Sequence, residues 1–396
     1  MPSTDKCVGF LQELIQTRSM SGEEGEIASL VASQMSELGY DEVSSDDAGN
    51  VIGLVRGLGA APTTMFNTHL DHVDAGDPSD WPHDPFGGEV HDGVVWGRGA
   101  VDIKGPLAAQ VFGVARLIES GDRPPGDVYV TSVVQEEVGG LGARHMAETL
   151  APDLIMIGEP SRNEVRRGHR GRVELQAHVR GRMAHASMTS IGRNPLEVIG
   201  RFLSKLNEIE LPDDPNLGRS TVAPTLIRTD QTSANVIPGE VVLTLDCRTV
   251  AGQNSRTLSD ALGPLLSECE IEGTASQICI PEEDKVSYAG LEMTYSAEHP
   301  ALSLSADHMA VQTAVQVLAG ALGSEPPVGV WDFATDGGHF AEAGRTVVGF
   351  GPGDDRLAHT VSEHIHIQEL EIGIRGNEAL ARNWATQFAA KDLRPK

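Results

Sequence analysis

Two textures of apolar patterning run through this sequence, and they call for different sheets. "DVYVTSVVQEE" and "DLIMIGEP" are short, β-branched and apolar at successive positions, the pattern of strands covered on both faces. "RVELQAHVR" instead alternates strictly, with Val173, Leu175, Ala177 and Val179 on one side and Arg172, Glu174, Gln176, His178 and Arg180 on the other. A strand of that kind keeps one face in water, as antiparallel sheets do. The chain is therefore expected to hold a doubly covered α/β sheet and a second, half-exposed sheet. Its 396 residues leave room for both, since one hydrophobic core rarely organises more than about 250–300.

The first texture fills the N-terminal part. Leu107, Val111, Val114, Ala115 and Ile118 recur at helical spacing after Gly105-Pro106, predicting a helix that lays one face on the sheet. The second texture starts near Gly171. After "RVELQAHVR" comes "NPLEVIGRFLSKLNEI", in which Asn194 is placed to cap, Pro195 suits the first turn and Glu197 stands at capping-box spacing. Leu196, Ile199, Phe202, Leu203, Leu206 and Ile209 form its expected buried stripe. "STVAPTLIRTD", "EVVLTLDCR", a helical "SRTLSDALGPLLSE" and "TASQICI" complete a βαββαβ order. Past Glu282 the α/β texture returns: Ser305 is placed to cap a helix carrying Val311, Ala314, Val315, Leu318 and Leu322, closed by Gly323. "RTVVGFGPG" then reads as another buried strand. The expected organisation is an α/β domain over residues 1–170 and 286–396, interrupted by a βαββαβ domain over 171–285.

Charge narrows the partners. With 57 acidic against 30 basic residues, the net charge of −27 argues against nucleic acid and anionic membrane, which need a basic footprint. Cys7, Cys247, Cys269 and Cys279 contain no Cys-x-x-Cys pair and are too sparse for a disulfide framework. The first residues lack a basic segment followed by an apolar one, and no stretch has the apolar length of a membrane span. A reducing, cytoplasmic setting is expected.

Titratable residues gather where the apolar runs end. In "TTMFNTHLDHVDAGDPSDW", His69 ends a strand and Asp71 lies two residues on, on the same side, where it can accept the other imidazole N–H. The pair is equally that of a turn histidine beside a capping aspartate. Glycines flank Asp102 in "GRGAVDIKGP"; Glu136 and Glu137 close a strand in "VVQEEVGG"; Glu159 closes another in "IGEP"; His359 follows a third in "GPGDDRLAHTVSEH". Adjacent carboxylates at a buried strand end require a cation or a shared proton, although two exposed acids opening a helix give the same letters. Each group sits just past the C-terminal end of an expected strand, the edge along which open α/β sheets place their sites. Five nitrogen and oxygen donors without a thiolate suit Zn²⁺, with Mn²⁺ or Co²⁺ possible. They exceed one catalytic zinc, so a dinuclear site bridged by Asp102 is expected. Asp74, Asp77 and Asp80 are expected to be loop acids, Asp336 of "DFATDGGHF" either a substrate contact or a loop cap, and "RRGHRGR" a solvated hinge.

Seven motifs, "HLDHV", "GRGAVDIKG", "QEEVGG", "GEPS", "GRMAHAS", "NVIP" and "AHTVSEH", run in order over nearly the whole chain. In this the sequence resembles the M20 metallopeptidase family, the group of acetylornithine deacetylase, succinyl-diaminopimelate desuccinylase and carboxypeptidase G2. The resemblance implies a zinc-exopeptidase-like catalytic domain with a mostly parallel sheet, and a ferredoxin-like βαββαβ insert that acts as lid and dimerisation domain. It implies one metal on His69, Asp102 and Glu159, a second on Asp102, Glu137 and His359, Glu136 as general base and Asp71 as support for His69. It further implies a cis peptide at Asp102-Ile103, a lid histidine at His185 that in several members reaches the partner's site, and substrate contacts from Asn235 and Arg248. The implied reaction is hydrolysis of the amide bond of a small N-acyl amino acid or peptide by two Zn²⁺ ions in a homodimer. Dipeptidase, carboxypeptidase and carbamoyl-amino-acid hydrolase are the alternatives within the family. "DFATDGGHF" departs from the Gly/Thr/Ser pattern of the desuccinylases, so their acyl contacts do not transfer.

Overall fold

The computed structural model describes residues 3–59 and 62–392, with side chains to residue 390. Close packing divides the chain into two units. One comprises the residues up to His169, Lys285–Met293 and those from Leu304 on; the other comprises Arg170–Asp284 and Thr294–Ser303.

In the larger unit the continuous apolar runs become strands Thr64–His69, Val128–Val133, Leu154–Ile157 and Thr346–Gly349. They lie parallel, with Thr64–His69 between Val128–Val133 and Leu154–Ile157, and Thr346–Gly349 beyond the latter. Every residue of Thr64–His69 and Leu154–Ile157 is buried, as strands covered on both faces must be. Antiparallel strands Val51–Val55 and Glu42–Ser45 extend one side, and Val165–His169 with its parallel neighbour Val328–Trp331 the other.

The helix expected after Gly105-Pro106 spans Lys104–Ser120, but it is buried nearly all round, from Lys104 through Ala115, rather than on one face. Helices Thr4–Gln16 and Ile367–Asp392 pack against it in addition to strands Thr64–His69 and Val128–Val133, which accounts for the burial of "LAAQVFGVA" beyond one face. The helix Met309–Leu322 ends at Gly323 in the left-handed conformation, as its sequence predicts. Its cap differs: His308 Nδ1 accepts from the Ala310 N–H at 3.2 Å, while Ser305 bonds Asp307. The arginine cluster is also less solvated than expected. Arg166 is buried in strand Val165–His169 and pairs with Glu164 at 2.7 Å.

The smaller unit carries the alternating texture. Strands Thr221–Thr229, Glu240–Thr249, Gly171–Arg180 and Ala275–Cys279 stand in that order, all antiparallel. Glu298–His299 also pairs with Gly171–Arg180. Helices Pro195–Lys205 and Ser255–Ser267 cover one face, so that Phe202 and Leu262 meet Val173, Leu175, Val179, Leu243 and Leu245 in one core. Asn194 caps the first helix by accepting from the Leu196 N–H. Its buried stripe is narrower than the letters suggest: Leu196 and Leu203 are exposed, and Val198, Ile199, Phe202 and Leu206 fill the core. These four recur at i, i+1, i+4 and i+8, one side of an α-helix. Among the described residues no helix is long and apolar enough to cross a membrane.

Candidate metal centre

The four parallel strands end on one edge. His69 stands opposite Val133, Asn67 opposite Ile157, and Ile157 opposite Gly349. His69 closes the first strand, Glu136 and Glu137 follow the second, Glu159 follows the third, and His359 lies in the connection after the fourth. Two of these connections turn sharply at residues other than glycine. Gln135 and His359 have φ of 56° and 62°, a left-handed conformation that is uncommon for side chains of this kind. Asp102 enters from the loop ahead of helix Lys104–Ser120, and the Asp102-Ile103 peptide is cis.

The side chains converge around Asp102. Its Oδ1 lies 3.1 Å from His69 Nε2 and its Oδ2 lies 3.2 Å from His359 Nε2. Glu159 Oε1 approaches the first ring nitrogen at 3.6 Å and Glu137 Oε1 the second at 3.0 Å. His69, Asp102 and Glu159 thus form one group of donors within 4.8 Å of one another, and Asp102, Glu137 and His359 form another. The two share one carboxylate.

Asp71 orders this arrangement from beneath. Its Oδ1 faces His69 Nδ1 at 3.3 Å and accepts from the Glu136 N–H at 3.1 Å. Its Oδ2 accepts from Ser21 Oγ at 2.7 Å and from the Glu137 N–H at 3.2 Å. Because His69 Nδ1 also faces the Asp71 carbonyl oxygen at 3.0 Å, the ring carries its hydrogen there and turns Nε2 to the cluster. Neighbouring His72 belongs to the core: its Nε2 accepts from the Ser19 N–H at 3.0 Å, and burial pulls its pKa down to about 4.

Proton affinities reflect the crowding of acids. Burial lifts Glu136 well above the usual carboxylate range; His69 opposes this, and Asp336 and Glu159 add to it. Burial and the Asp102 charge likewise raise Glu159 and Glu137. Burial works against Asp102, but hydrogen bonds from His359 and His69 outweigh it and hold its pKa well below normal. Hydrogen bonds to Asp102 first and then Glu137 raise His359 to about 10, against the opposing effect of burial.

These donors fit a pair of divalent cations. Each Nε2 faces two carboxylate oxygens at close range, an arrangement of donors that a bound cation would satisfy. The donors are all imidazole and carboxylate, the set preferred by zinc, manganese and cobalt.

Two acids around the cluster, Glu363 and Glu24, carried no clear signal in the sequence, and a third, Asp336, stood there as either a substrate contact or a loop cap. Glu363 is fully buried; its Oε1 accepts from the Val101 and Asp102 N–H groups at 2.9 Å, and its Oε2 from Arg98 Nη1 at 2.5 Å. It thereby fixes the backbone that presents Asp102, and the only hint was its place in "AHTVSEH". Glu24 is fully buried and accepts from the Gln135 N–H at 3.1 Å, behind the Glu136–Glu137 turn. Asp336 precedes the short helix Gly337–Glu342 without capping it. Burial raises its pKa to about 7, and neither carboxyl oxygen has a hydrogen-bond partner among the described residues. Asp74 and Asp77 accept from the N–H groups of Gly76 and Ser79, so they hold turns.

In the smaller unit, His185 and Asn235 come together. His185 pairs with Val236 across two short strands, and the Asn235 carbonyl oxygen accepts from the Ala186 N–H at 2.8 Å. Arg248 is not with them. It lies toward the far end of strand Glu240–Thr249, about 26 Å along it from Glu240 at the usual strand rise. Its Nε donates to Asp246 at 2.8 Å.

An α/β sheet that gathers imidazole and carboxylate donors at the carboxyl ends of its parallel strands holds them where open α/β folds place their sites, with a donor set that fits metal-dependent hydrolysis. Residues 65–383 match the family model described as Peptidase family M20/M25/M40, and the chain belongs to that family. It is 29% identical over 360 residues to the uncharacterized protein YgeY of Escherichia coli strain K12, covering 89% of this chain and 88% of that one. It is 29% identical over 388 residues to a succinyl-diaminopimelate desuccinylase of Alkalilimnicola ehrlichii, covering 93% of this chain and 96% of the relative. Among solved structures, aminopeptidase PepT from Bacillus cereus superposes with a TM-score of 0.78 at 19% identity, covering 98% of this chain and 99% of that chain. The α/β fold with its separate antiparallel sheet is thus shared with M20 peptidases.

Proposed function

We propose that the protein is a dinuclear-metal hydrolase that cleaves the amide bond of a small N-acyl amino acid or peptide. One observation carries the reading: Asp102 turns one carboxyl oxygen to His69 and the other to His359, with Glu159 beside the first ring and Glu137 beside the second. On this reading His69, Asp102 and Glu159 hold one Zn²⁺, and Asp102, Glu137 and His359 hold the other; Co²⁺ or Mn²⁺ suit the same donors. When bound, two such cations would supply Lewis acidity and lower the pKa of a coordinated water toward about 7.

The chain's own groups do the rest. Glu136 takes a proton from the attacking water as its oxygen adds to the amide carbon, then returns that proton to the nitrogen as the C–N bond breaks. Products are a carboxylate and an amine. The raised proton affinity of Glu136 suits this exchange. Asp71 holds the His69 ring and the Glu136 backbone in register. His185 is assigned as donor to the developing oxyanion, a role worth ~3–4 kcal/mol per well-placed group, and Asn235 as a substrate contact beside it. Arg248, distant from His185 and Asn235 within one chain, is assigned to a substrate carboxylate on the reading that those two serve the site of a second copy, its bond to Asp246 being given up in exchange.

The smaller unit is assigned as lid and dimerisation domain, a role supported by its open edge strand Thr221–Thr229, where Leu226 and Ile227 are exposed. The likeness to a desuccinylase over nearly the whole chain supports an acylated amino acid as substrate. The four unpaired cysteines suit a cytoplasmic setting.

The test is release of primary amine from acetyl-, succinyl- and carbamoyl-amino acids and from dipeptides, with chelation and metal restoration. Turnover is expected on at least one class, abolished by chelation and restored by Zn²⁺. Glu136→Gln is expected to lower kcat by about 10²–10⁴-fold with bound metal unchanged. A variant with full turnover would remove Glu136 from its role.

A further inference from the structure

We propose that His83, Glu89 and His91 form a third metal-binding site, which takes a transition-metal cation such as Zn²⁺, Ni²⁺ or Cu²⁺ and shares no residue with the centre above. The site is built on a short hairpin. Strands Val90–His91 and Val94–Trp96 pair through Asp92 and Gly93, whose φ values of 50° and 79° are those of a tight two-residue turn. Strand His364–His366 pairs along the other edge of Val94–Trp96. Opposed residues of an antiparallel sheet share a face, as do alternate residues of one strand. His91, Trp96, His364 and His366 therefore project on one side, while Val95 and Ile365 are buried on the other.

The rings on that side are in contact. His83 stacks on His91 with centroids 4.2 Å apart and lies 4.9 Å from Trp96, whose far side meets His364 at 4.4 Å. This packing directs two imidazole nitrogens at one oxygen: Glu89 Oε2 lies 3.2 Å from His83 Nδ1 and 2.7 Å from His91 Nε2. The three donors fall within 4.8 Å of one another. Two imidazoles and a carboxylate supply three ligands of a tetrahedral site and leave a fourth position for solvent. The two nitrogens favour the later transition metals over Mg²⁺ or Ca²⁺, which prefer oxygen. The side chains are 26%, 43% and 50% exposed for His83, Glu89 and His91, so a cation reaches them directly from water. The net charge of −27 concentrates cations around the chain. Exposure also makes this site weaker and faster to exchange than the enclosed centre.

The test counts zinc on the full chain by equilibrium dialysis across micromolar free Zn²⁺. The wild type is expected to bind one more equivalent than Glu89→Gln or the double variant His83→Ala/His91→Ala. Asp102→Asn, which strikes the other centre alone, is expected to keep that equivalent, so failure of the dinuclear reading does not imitate failure here. Trp96 gives a second readout: Ni²⁺ is expected to quench part of the tryptophan emission of the wild type, and this part should vanish in His83→Ala and in Trp96→Phe. Unchanged thermal unfolding of the variants verifies their fold. Equal zinc counts in wild type and Glu89→Gln, or quenching that survives His83→Ala, would overturn the site and leave only two hydrogen bonds at the surface.

Discussion

Glu24 lies with no surface exposed, one carboxyl oxygen taking the Gly22 and Gln135 N–H groups and the other without a hydrogen-bond partner among the described residues. Burial raises its pKa from 4.5 to about 7. A carboxyl whose folded pKa is raised holds its proton more tightly in the native state. Its contribution is therefore favourable below the unfolded value, about 4.5, and is lost as pH climbs through about 7. Glu24→Gln keeps an acceptor oxygen and removes the titration. Urea unfolding of chelator-stripped protein at pH 5 and pH 7 is expected to show wild type losing about 2 kcal/mol more than the variant over that interval. An equal change in both would detach Glu24 from the effect. The sequence offered no sign of this residue: "SGEEGE" reads as solvated, and only the tertiary fold brings it behind Gln135. The residues of the candidate centre were legible for the opposite reason. His69, the Glu136–Glu137 pair and Glu159 each end or closely follow an apolar run, so the polarity of a few letters broke a pattern that a buried strand otherwise maintains, whereas Asp102 and His359 stood out by their glycine-rich and histidine-bearing motifs. The supports were hidden because a hydrogen bond between distant positions, such as Glu363 to the Asp102 N–H, leaves no local periodicity.

At the scale of elements, the strands were more legible than the helix faces. Period-two alternation states directly which side of Gly171–Arg180 is wet, and its burial follows the letters. A helix needs its neighbours specified as well. "LAAQVFGVA" looked amphipathic enough for one buried face, but helices pack against it as well as strands. Caps depended on a few atoms: Asn194 acts as its residue type predicts, whereas Ser305 yields to His308 three positions later. Asn254 makes the most complete cap, its side chain accepting from the Thr257 N–H while Thr257 Oγ1 accepts from the Asn254 N–H, each at 2.9 Å. Asn254→Ala removes the first of these bonds at helix Ser255–Ser267. It is expected to cost about 1 kcal/mol, measured as a lower midpoint in urea with unchanged slope. The helix buries Leu258, Leu262 and Leu266 in the small unit's core, so the loss should register in the unfolding of that unit.

For the whole molecule, the open question at the surface is the edge of the small sheet. Among the described residues strand Thr221–Thr229 has one paired side; a bulge falls between Pro224 and Leu226, and Leu226 and Ile227 are 43% and 48% exposed. Proline and a bulge interrupt indiscriminate strand addition, while two exposed apolar side chains favour a defined partner. With a second copy as that partner, the double variant Leu226→Arg/Ile227→Arg is expected to run as a monomer in light scattering where the wild type runs as a dimer. A dimeric variant would move the interface elsewhere. The existence of two sheets was legible from the two textures, whereas the return of Glu298–His299 to Gly171–Arg180 was not, because two residues are too short for any pattern.

The bond from Glu363 to Arg98 joins positions 265 residues apart and is buried on both sides. Ribosomes release the N-terminal position long before the C-terminal one. Arg98, whose charge is left unpaired in a dry interior until Glu363 arrives, is expected to delay closure of the larger unit while the smaller one, complete by Ser303, can already form. Cotranslational folding is therefore expected to close the inserted unit before the unit that encloses it in sequence, and the candidate centre, which draws on His69 and His359 alike, to assemble once nearly the entire polypeptide is available.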